Sequence, residues 1–511
     1  MLRRTLPSCL GRASSGLCRG HLAQAGQAAP RWYSSPSSSS QPESEHSFAG
    51  LLAQAIKATG PMPVSTWMTR CLLDPVHGYY ASAESSTSPI FGAKGDFVTS
   101  PDISQVFGEL LAIWFLTRFQ NVAQAHDPAV DAPLRARLVE FGPGRGALLS
   151  DMLRTFSNFP SLLKALTAVD LVETSPFLRS QQKSVLQAIC TKLGKKLVVE
   201  EDGTGANDAY ETTDERELRL RWYDRPESVP VRKDVWTAVV AHEFFDALPI
   251  NIFERTPNGW REVYIDAKAS NVSASGVREE RSESGITVLR PPTSSPLIPR
   301  TNLSLSGAAS KPEFRFVLSP GPTPLAQLLA ASNPRFETYS PGTRLEVSAE
   351  AWAAGRAFGR LVSGQREEDA GSGGEVGGAG LIVDYGGEQA FSNSFRAFKT
   401  HKLVNPLEDP GKQDLTANVD FAHVRGAVEA GGAQTHPLAT QQSFLLHLGL
   451  QPRLEVLLRS APTEERKKAI ESAAARLVEG GKVGMGETFK VLGATAPAAA
   501  GSREEVYPFA L

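Results

Sequence analysis

From residue 138 onward, short apolar runs alternate with longer segments in which apolar residues recur every three to four positions. The pattern predicts strands over 138–141, 169–172, 196–199 and 236–241, with helices over 147–156 and 176–192. Further strands are expected at 262–265, 314–318, 381–383 and 489–492, and helices at 441–448 and 464–478. Strands and helices in alternation imply parallel strands joined by right-handed crossovers, so the expected fold class is α/β with a doubly wound sheet. Upstream, 49–59 and 65–73 carry apolar residues at helical spacing. Ser100-Pro101-Asp102 reads as a capped start that opens a buried helix over 103–119.

Three stretches break the pattern. Residues 202–234 are charged and polar apart from Trp222-Tyr223, 267–311 are rich in Ser, Thr and Pro, and 363–380 are Gly-rich and acidic. Each lacks apolar periodicity and is expected to be a surface insertion. The remainder reads as one elaborated domain over 48–495, with a helical part at 48–130, a core from 136 and an Ala-rich tail at 496–511.

Composition narrows this picture. With 41% hydrophobic residues in 511, the chain can bury a sizeable core, and 53 Lys+Arg against 55 Asp+Glu argue against a basic nucleic-acid binder. No apolar run approaches the ~20 residues of a membrane-spanning helix, so no membrane insertion is expected. The balance is uneven: Arg3, Arg4, Arg12, Arg19 and Arg31 precede the first acid, Glu43. With Arg31-Trp32-Tyr33 placed before Ser34, this predicts a mitochondrial transit peptide over 1–33 and a Ser/Pro-rich linker over 34–47. Losing those arginines takes the charge from −2 to −2 − 5 = −7. Cys71 and Cys190 then remain, without CxxC spacing, and read as inert buried thiols.

Candidate chemistry concentrates at three strand ends. The first predicted strand runs into Glu140-Phe141-Gly142-Pro143-Gly144-Arg145-Gly146 and then a helix. Glycines there let the backbone bend tightly and approach a ligand, while the helix start offers unpaired N–H groups. Gly142, Gly144 and Gly146 fit the G-x-G-x-G of S-adenosylmethionine enzymes. Gly142, Gly144 and Ala147 also fit the G-x-G-x-x-G/A of dinucleotide binders, which keeps an NAD-dependent oxidoreductase in play. Glu140, two residues ahead of the first glycine, favours the former.

Glu173 ends the next strand, where an acid can accept hydrogen bonds from both ribose hydroxyls of an adenosyl group. The strand over 236–241 leads directly into His242, Glu243 and Asp246. Ligand crevices of open parallel sheets lie at the carboxyl ends of strands, so all three clusters should face one crevice. Carboxylates beside an activated methyl can hold a guanidinium and draw charge from its attacking nitrogen. Metal ligation by His242, Glu243 and Asp246 is not expected, because no second His lies at suitable spacing.

Gly95-Asp96-Phe97-Val98-Thr99-Ser100-Pro101, the glycine segment 140–146, His242-Glu243-Phe244-Phe245-Asp246-Ala247-Leu248-Pro249 and Val383-Asp384-Tyr385-Gly386 together resemble the MidA family. The likeness is close to its mitochondrial members, complex I assembly factors that act as protein arginine methyltransferases. The resemblance implies a class I methyltransferase fold, a Rossmann-like doubly wound sheet with additional N-terminal and C-terminal helical elements. It also implies S-adenosylmethionine as methyl donor, and symmetric dimethylation of an arginine in the 49 kDa subunit of respiratory complex I, in the matrix. By motif matching, Gly142, Gly144, Gly146, Glu140 and Glu173 would hold the cofactor, with Asp96 in a segment that closes over it. Glu243, Asp246 and His242 would serve the substrate. A non-catalytic assembly chaperone that binds the same cofactor is the other role compatible with the motifs, and a homo-oligomer is compatible with both.

Overall fold

The computed structural model describes residues 47–80, 99–125, 134–200, 214–268, 278–281, 287–290, 312–365, 376–481, 484–497 and 505–510. The transit peptide, nearly all of the linker, and Asp96 lie outside the described residues.

The central sheet is built from β1 (Arg135–Phe141), β2 (Leu166–Val172), β3 (Lys196–Val199), β4 (Glu217–Tyr223), β5 (Val235–His242), β6 (Ala379–Gly387) and β7 (Phe489–Thr495). Their spatial order is β7-β6-β5-β1-β2-β4-β3, with only β7 antiparallel among these strands. β2 and β5 are buried along their whole length, as continuous apolar strands covered on both faces must be. The chain places β2 on one flank of β1 and returns to place β5 on the other, which makes the end of β1 the topological switch point. α1 (Ala147–Phe156) and α2 (Pro176–Leu193) follow β1 and β2, and α3 (Ala349–Ser363) precedes β6. The helix Gln105–Ala125 is buried on most faces and packs against α1.

A second sheet, outside the sequence expectation, occupies the chain between β5 and α3. Its order is Arg344–Val347, Asn251–Thr256, Gly259–Ala267, Phe314–Leu318, Thr287–Arg290 and Arg278–Arg281. The helix Val64–Leu73 lays Trp67 and Met68 against Ile252 and Val263 of this sheet, forming a separate core.

Several expectations are corrected. The supposed insertion 202–234 contains β4, a strand of the central sheet, with Leu218 and Leu220 fully buried. Its alternating arginines hide the strand: Arg219 and Arg221 point to Glu200 and are neutralised there, so a buried strand reads as polar. In 267–311, Arg278–Arg281 and Thr287–Arg290 are strands, and within 363–380 Ala379 already begins β6. Gly378 and Gly380 are packing positions there: a Cβ would fall 2.1 Å from the Thr237 carbonyl oxygen and 2.4 Å from the Phe358 ring. The helix expected over 103–119 is two pieces, because Ser104 is extended between Ser100–Ile103 and Gln105–Ala125. Within 496–511, Val506 and Phe509 belong to the core, and Phe509 stacks on His436. Cys71 and Cys190 are buried thiols, and burial pushes them up to about 12 and about 11.

Candidate functional site

The carboxyl ends of β1, β2 and β5 enclose a cavity of about 430 Å³, lined among others by Glu140, Gly142, Gly144, Glu173, His242 and Glu243. That volume suits a small-molecule ligand. Sequence separation placed these groups far apart; the parallel order brings them to one rim.

The turn after β1 has Gly142, Gly144 and Gly146 at φ +64°, +51° and +82°, values open to glycine at little cost. The Gly142 N–H donates to the Val172 carbonyl (3.0 Å) and the Gly146 N–H to the Pro143 carbonyl (2.8 Å). α1 begins at once with no side-chain cap, so its first N–H groups remain available at the cavity wall formed by Ala147 and Leu148. Gly146 itself caps α1 and packs toward α2 rather than lining the cavity. Opposite, Arg145 pairs with Asp102 at 3.0 Å, tying the turn to the segment from Thr99 to Asp102 that lines the mouth.

Glu140 is 3% exposed, its Oε2 has no partner among the described residues, and burial pushes the carboxyl up to about 8. Glu173 accepts from the Ser175 N–H at Oε1 (2.8 Å) and from Gln182 Nε2 at Oε2 (3.3 Å); burial raises its pKa while these donors oppose the rise. Gln182 also donates to the Gly144 carbonyl at 2.7 Å and accepts from Trp222 Nε1 at 2.8 Å. Neither Gln182 nor Trp222 was singled out as a site residue from sequence. The alternation Leu218-x-Leu220-x-Trp222 was the available signal, since it places Trp222 at a strand end.

At the exit of β5, His242 is buried and burial pulls its pKa down to about 3, leaving the imidazole neutral. Its Nε2 lies 3.3 Å from Glu243 Oε1 without the alignment of a hydrogen bond. Glu243 is held at φ +48°, a left-handed conformation that costs a non-glycine residue about 1–3 kcal/mol. The surrounding structure imposes it: the Glu243 N–H donates to the Val383 carbonyl (2.9 Å), and Asp384 Oδ2 accepts from the N–H groups of Phe245 (3.0 Å) and Asp246 (3.2 Å). Burial, followed by the charge of Asp246, pushes the Glu243 carboxyl up to about 8.

Asp246 departs from expectation. Its carboxylate does not line this cavity: Oδ2 accepts from the Tyr385 hydroxyl and from Thr416 Oγ1 (2.8 Å), which braces the loop, while Oδ1 is buried without a partner among the described residues. Tyr385, which the sequence shows only as part of the motif Val383-Asp384-Tyr385-Gly386, is that brace, and Arg396 lies over its ring at 4.9 Å. Asp384 and Tyr385 therefore set the backbone that presents Glu243.

A family model described as "Putative S-adenosyl-L-methionine-dependent methyltransferase" matches residues 110–438. The chain is 35% identical to "Protein arginine methyltransferase NDUFAF7, mitochondrial" of Danio rerio, over 82% of this chain and 81% of the relative. It is 32% identical to the homolog so named in Drosophila melanogaster, over 93% of this chain and 90% of the relative. The human protein of the same name is 32% identical over 80% of this chain and 74% of its own. Among solved structures, a COG1565 superfamily member from Burkholderia thailandensis, bound to S-adenosyl-homocysteine, shares the fold. Its TM-score is 0.58 at 23% identity, covering 90% of this chain and 97% of that one.

Proposed function

The chain belongs to the family of S-adenosyl-L-methionine-dependent methyltransferases, and within it we propose that it methylates an arginine side chain of a partner protein. Its cofactor is S-adenosyl-L-methionine, which resolves the two readings of the glycine turn, and it is a mitochondrial protein. Finer parts of the proposal follow the family resemblance: the acceptor is the 49 kDa subunit of complex I and the product is symmetric dimethylarginine.

The observation that carries the reading is Glu243. It is a buried carboxyl in the same cavity as the glycine turn, and among the described residues no Lys or Arg forms an ion pair with it. A guanidinium supplies the missing cation, bound through its fixed fork.

The remaining residues fit the cofactor. The Glu140 carboxyl, with Oε2 unpaired among the described residues, would offer an acceptor for its ammonium group, Gly142 and Gly144 would leave room for its methionyl part, and Glu173 would accept from its ribose hydroxyls. When bound, the cofactor supplies a methyl group already activated on a sulfonium. Glu243 orients one terminal nitrogen of the arginine and withdraws positive charge from it. Its raised pKa makes the ionised carboxylate a better base than an ordinary one for the proton that this nitrogen sheds on methylation. His242, neutral throughout, adds no repelling charge beside the arriving guanidinium.

The test is methyl transfer from labelled S-adenosylmethionine to recombinant 49 kDa subunit, with the modified residue located by fragmentation mass spectrometry. Methylated arginine, with transfer lowered about a hundredfold or more in Glu243→Gln while S-adenosylhomocysteine still binds, is the expected result. Methylation of another residue type, or undiminished transfer by the variant, defeats the proposal. Transfer to arginine of a different protein keeps the chemistry and replaces the partner.

A further inference from the structure

We infer that Gln182 and Trp222 form a positioning relay that locks the carboxylate of Glu173 into its ligand-binding orientation before the cofactor arrives. The inference rests on the reading of Glu173 as the acceptor for the ribose hydroxyls.

Gln182 is fully buried, and its amide has two donor hydrogens and one acceptor oxygen to satisfy. An indole N–H only donates, so the 2.8 Å contact from Trp222 Nε1 must meet Oε1 of Gln182. The orientation of the amide is thereby decided by chemistry. Nε2 then faces the site, and it donates to the Gly144 carbonyl at 2.7 Å and to Glu173 Oε2 at 3.3 Å. One side chain on α2 thus joins the turn after β1 to the acid after β2.

Glu173 is held at both oxygens, Oε2 by Gln182 and Oε1 by the Ser175 N–H at 2.8 Å. Each carboxylate oxygen accepts more than one hydrogen bond, so both retain capacity toward the cavity that Glu173 lines. Rotation of the carboxylate is lost on folding rather than on binding, which is how preorganisation raises affinity. Trp222 is in turn fixed by sheet register: it pairs with Leu171, and the Glu173 N–H donates to the neighbouring Tyr223 carbonyl at 3.0 Å. Neither Gln182 nor Trp222 lines the cavity, so both act through Glu173 and Gly144. The Trp222-Tyr223 pair, which stands out in an otherwise polar stretch, acquires a role.

The experiment uses the full chain and titrates S-adenosylhomocysteine and its 2′-deoxy analogue into wild type, Gln182→Met, Trp222→Phe, Glu173→Gln and the double variant Gln182→Met/Glu173→Gln. Gln182→Met is expected to weaken S-adenosylhomocysteine about tenfold and Trp222→Phe about threefold, and both to narrow the preference for the 2′-hydroxyl ligand. In the Glu173→Gln background, Gln182→Met should add less than about twofold, because the group it positions is already changed. An equal loss in both backgrounds, or unchanged affinity, overturns the relay. If Glu173→Gln itself leaves affinity and the 2′-hydroxyl preference intact, the ribose reading falls. If Glu173→Gln weakens binding but Gln182→Met and Trp222→Phe do not, only the relay falls. Trp222→Phe, which removes the donor that fixes the Gln182 amide but leaves the amide in place, carries the same cycle together with Trp222→Phe/Glu173→Gln should Gln182→Met fail to fold.

Discussion

Asp170 and Glu140 sit on neighbouring central strands, one register step apart, and both are buried. Asp170 accepts from Arg137 Nη1 at 3.2 Å, and Arg137 Nε donates to Thr237 Oγ1 at 3.0 Å, so β1, β2 and β5 are joined by one internal circuit. Glu140 Oε2 has no partner among the described residues, and its carboxyl lines the cavity at the open end of the sheet. The same sheet therefore buries one carboxyl with its counter-ion and one without. The first holds a packed layer together, and the second is left open to a cation from outside.

The sharpest way to break this contrast is Arg137→Met. It removes the guanidinium that Asp170 accepts from and should cost about 3–5 kcal/mol in denaturant unfolding, while the folded fraction keeps its affinity for S-adenosylhomocysteine. A loss below about 1 kcal/mol would place Asp170 in the same class as Glu140.

Gly142→Ala comes next. At φ +64°, with Phe244 Cδ2 only 2.9 Å from the new Cβ, it should lower cofactor affinity about tenfold or more and cost about 1–2 kcal/mol of stability. Calorimetric titration alongside thermal melts separates the two effects, and unchanged affinity would remove the turn from the site.

Glu140→Gln has the smallest effect on folding and should reduce affinity about tenfold, by loss of a carboxyl that the cofactor's ammonium would hold ionised. Its pH dependence follows from the raised carboxyl. Folded Glu140 keeps its proton up to about 8, whereas the unfolded group loses it near 4.5, so its stabilising contribution fades as pH rises between those values. Glu243 behaves alike, while His242, depressed from 6.5 to about 3, loses its contribution only as pH falls below 6.5. From pH 6.5 to about pH 8 the melting temperature should therefore decline, and less steeply in the Glu140→Gln variant. Parallel curves for the two proteins would show that Glu140 is not a buried acid.

Much of this site is legible before folding. The strands around β1, β2 and β5, the glycine turn and Glu173 follow from apolar runs and backbone-permissive residues, which act over a few positions. β4 was hidden because Glu200 neutralises Arg219 and Arg221 across the fold, a cancellation that polarity along the chain does not reveal. The second sheet was missed beyond single strands because several of its pairings join distant segments, with partners such as Arg344 and Glu254 set by tertiary contact. Asp246 looked interchangeable with Glu243, and only Tyr385 and Thr416 distinguish the brace from the cavity wall.

By itself, the sequence determined where backbone must bend and which strands must be buried, since glycine freedom and apolar periodicity are local properties. Tertiary structure decided which acid each charge belongs to. Glu243 became a strained cavity wall, Asp246 a brace and Gln182 a link between two crossovers because their hydrogen-bond partners come from distant strands. A buried polar group takes its role from whichever partner satisfies it, and that partner is chosen only when the sheet closes.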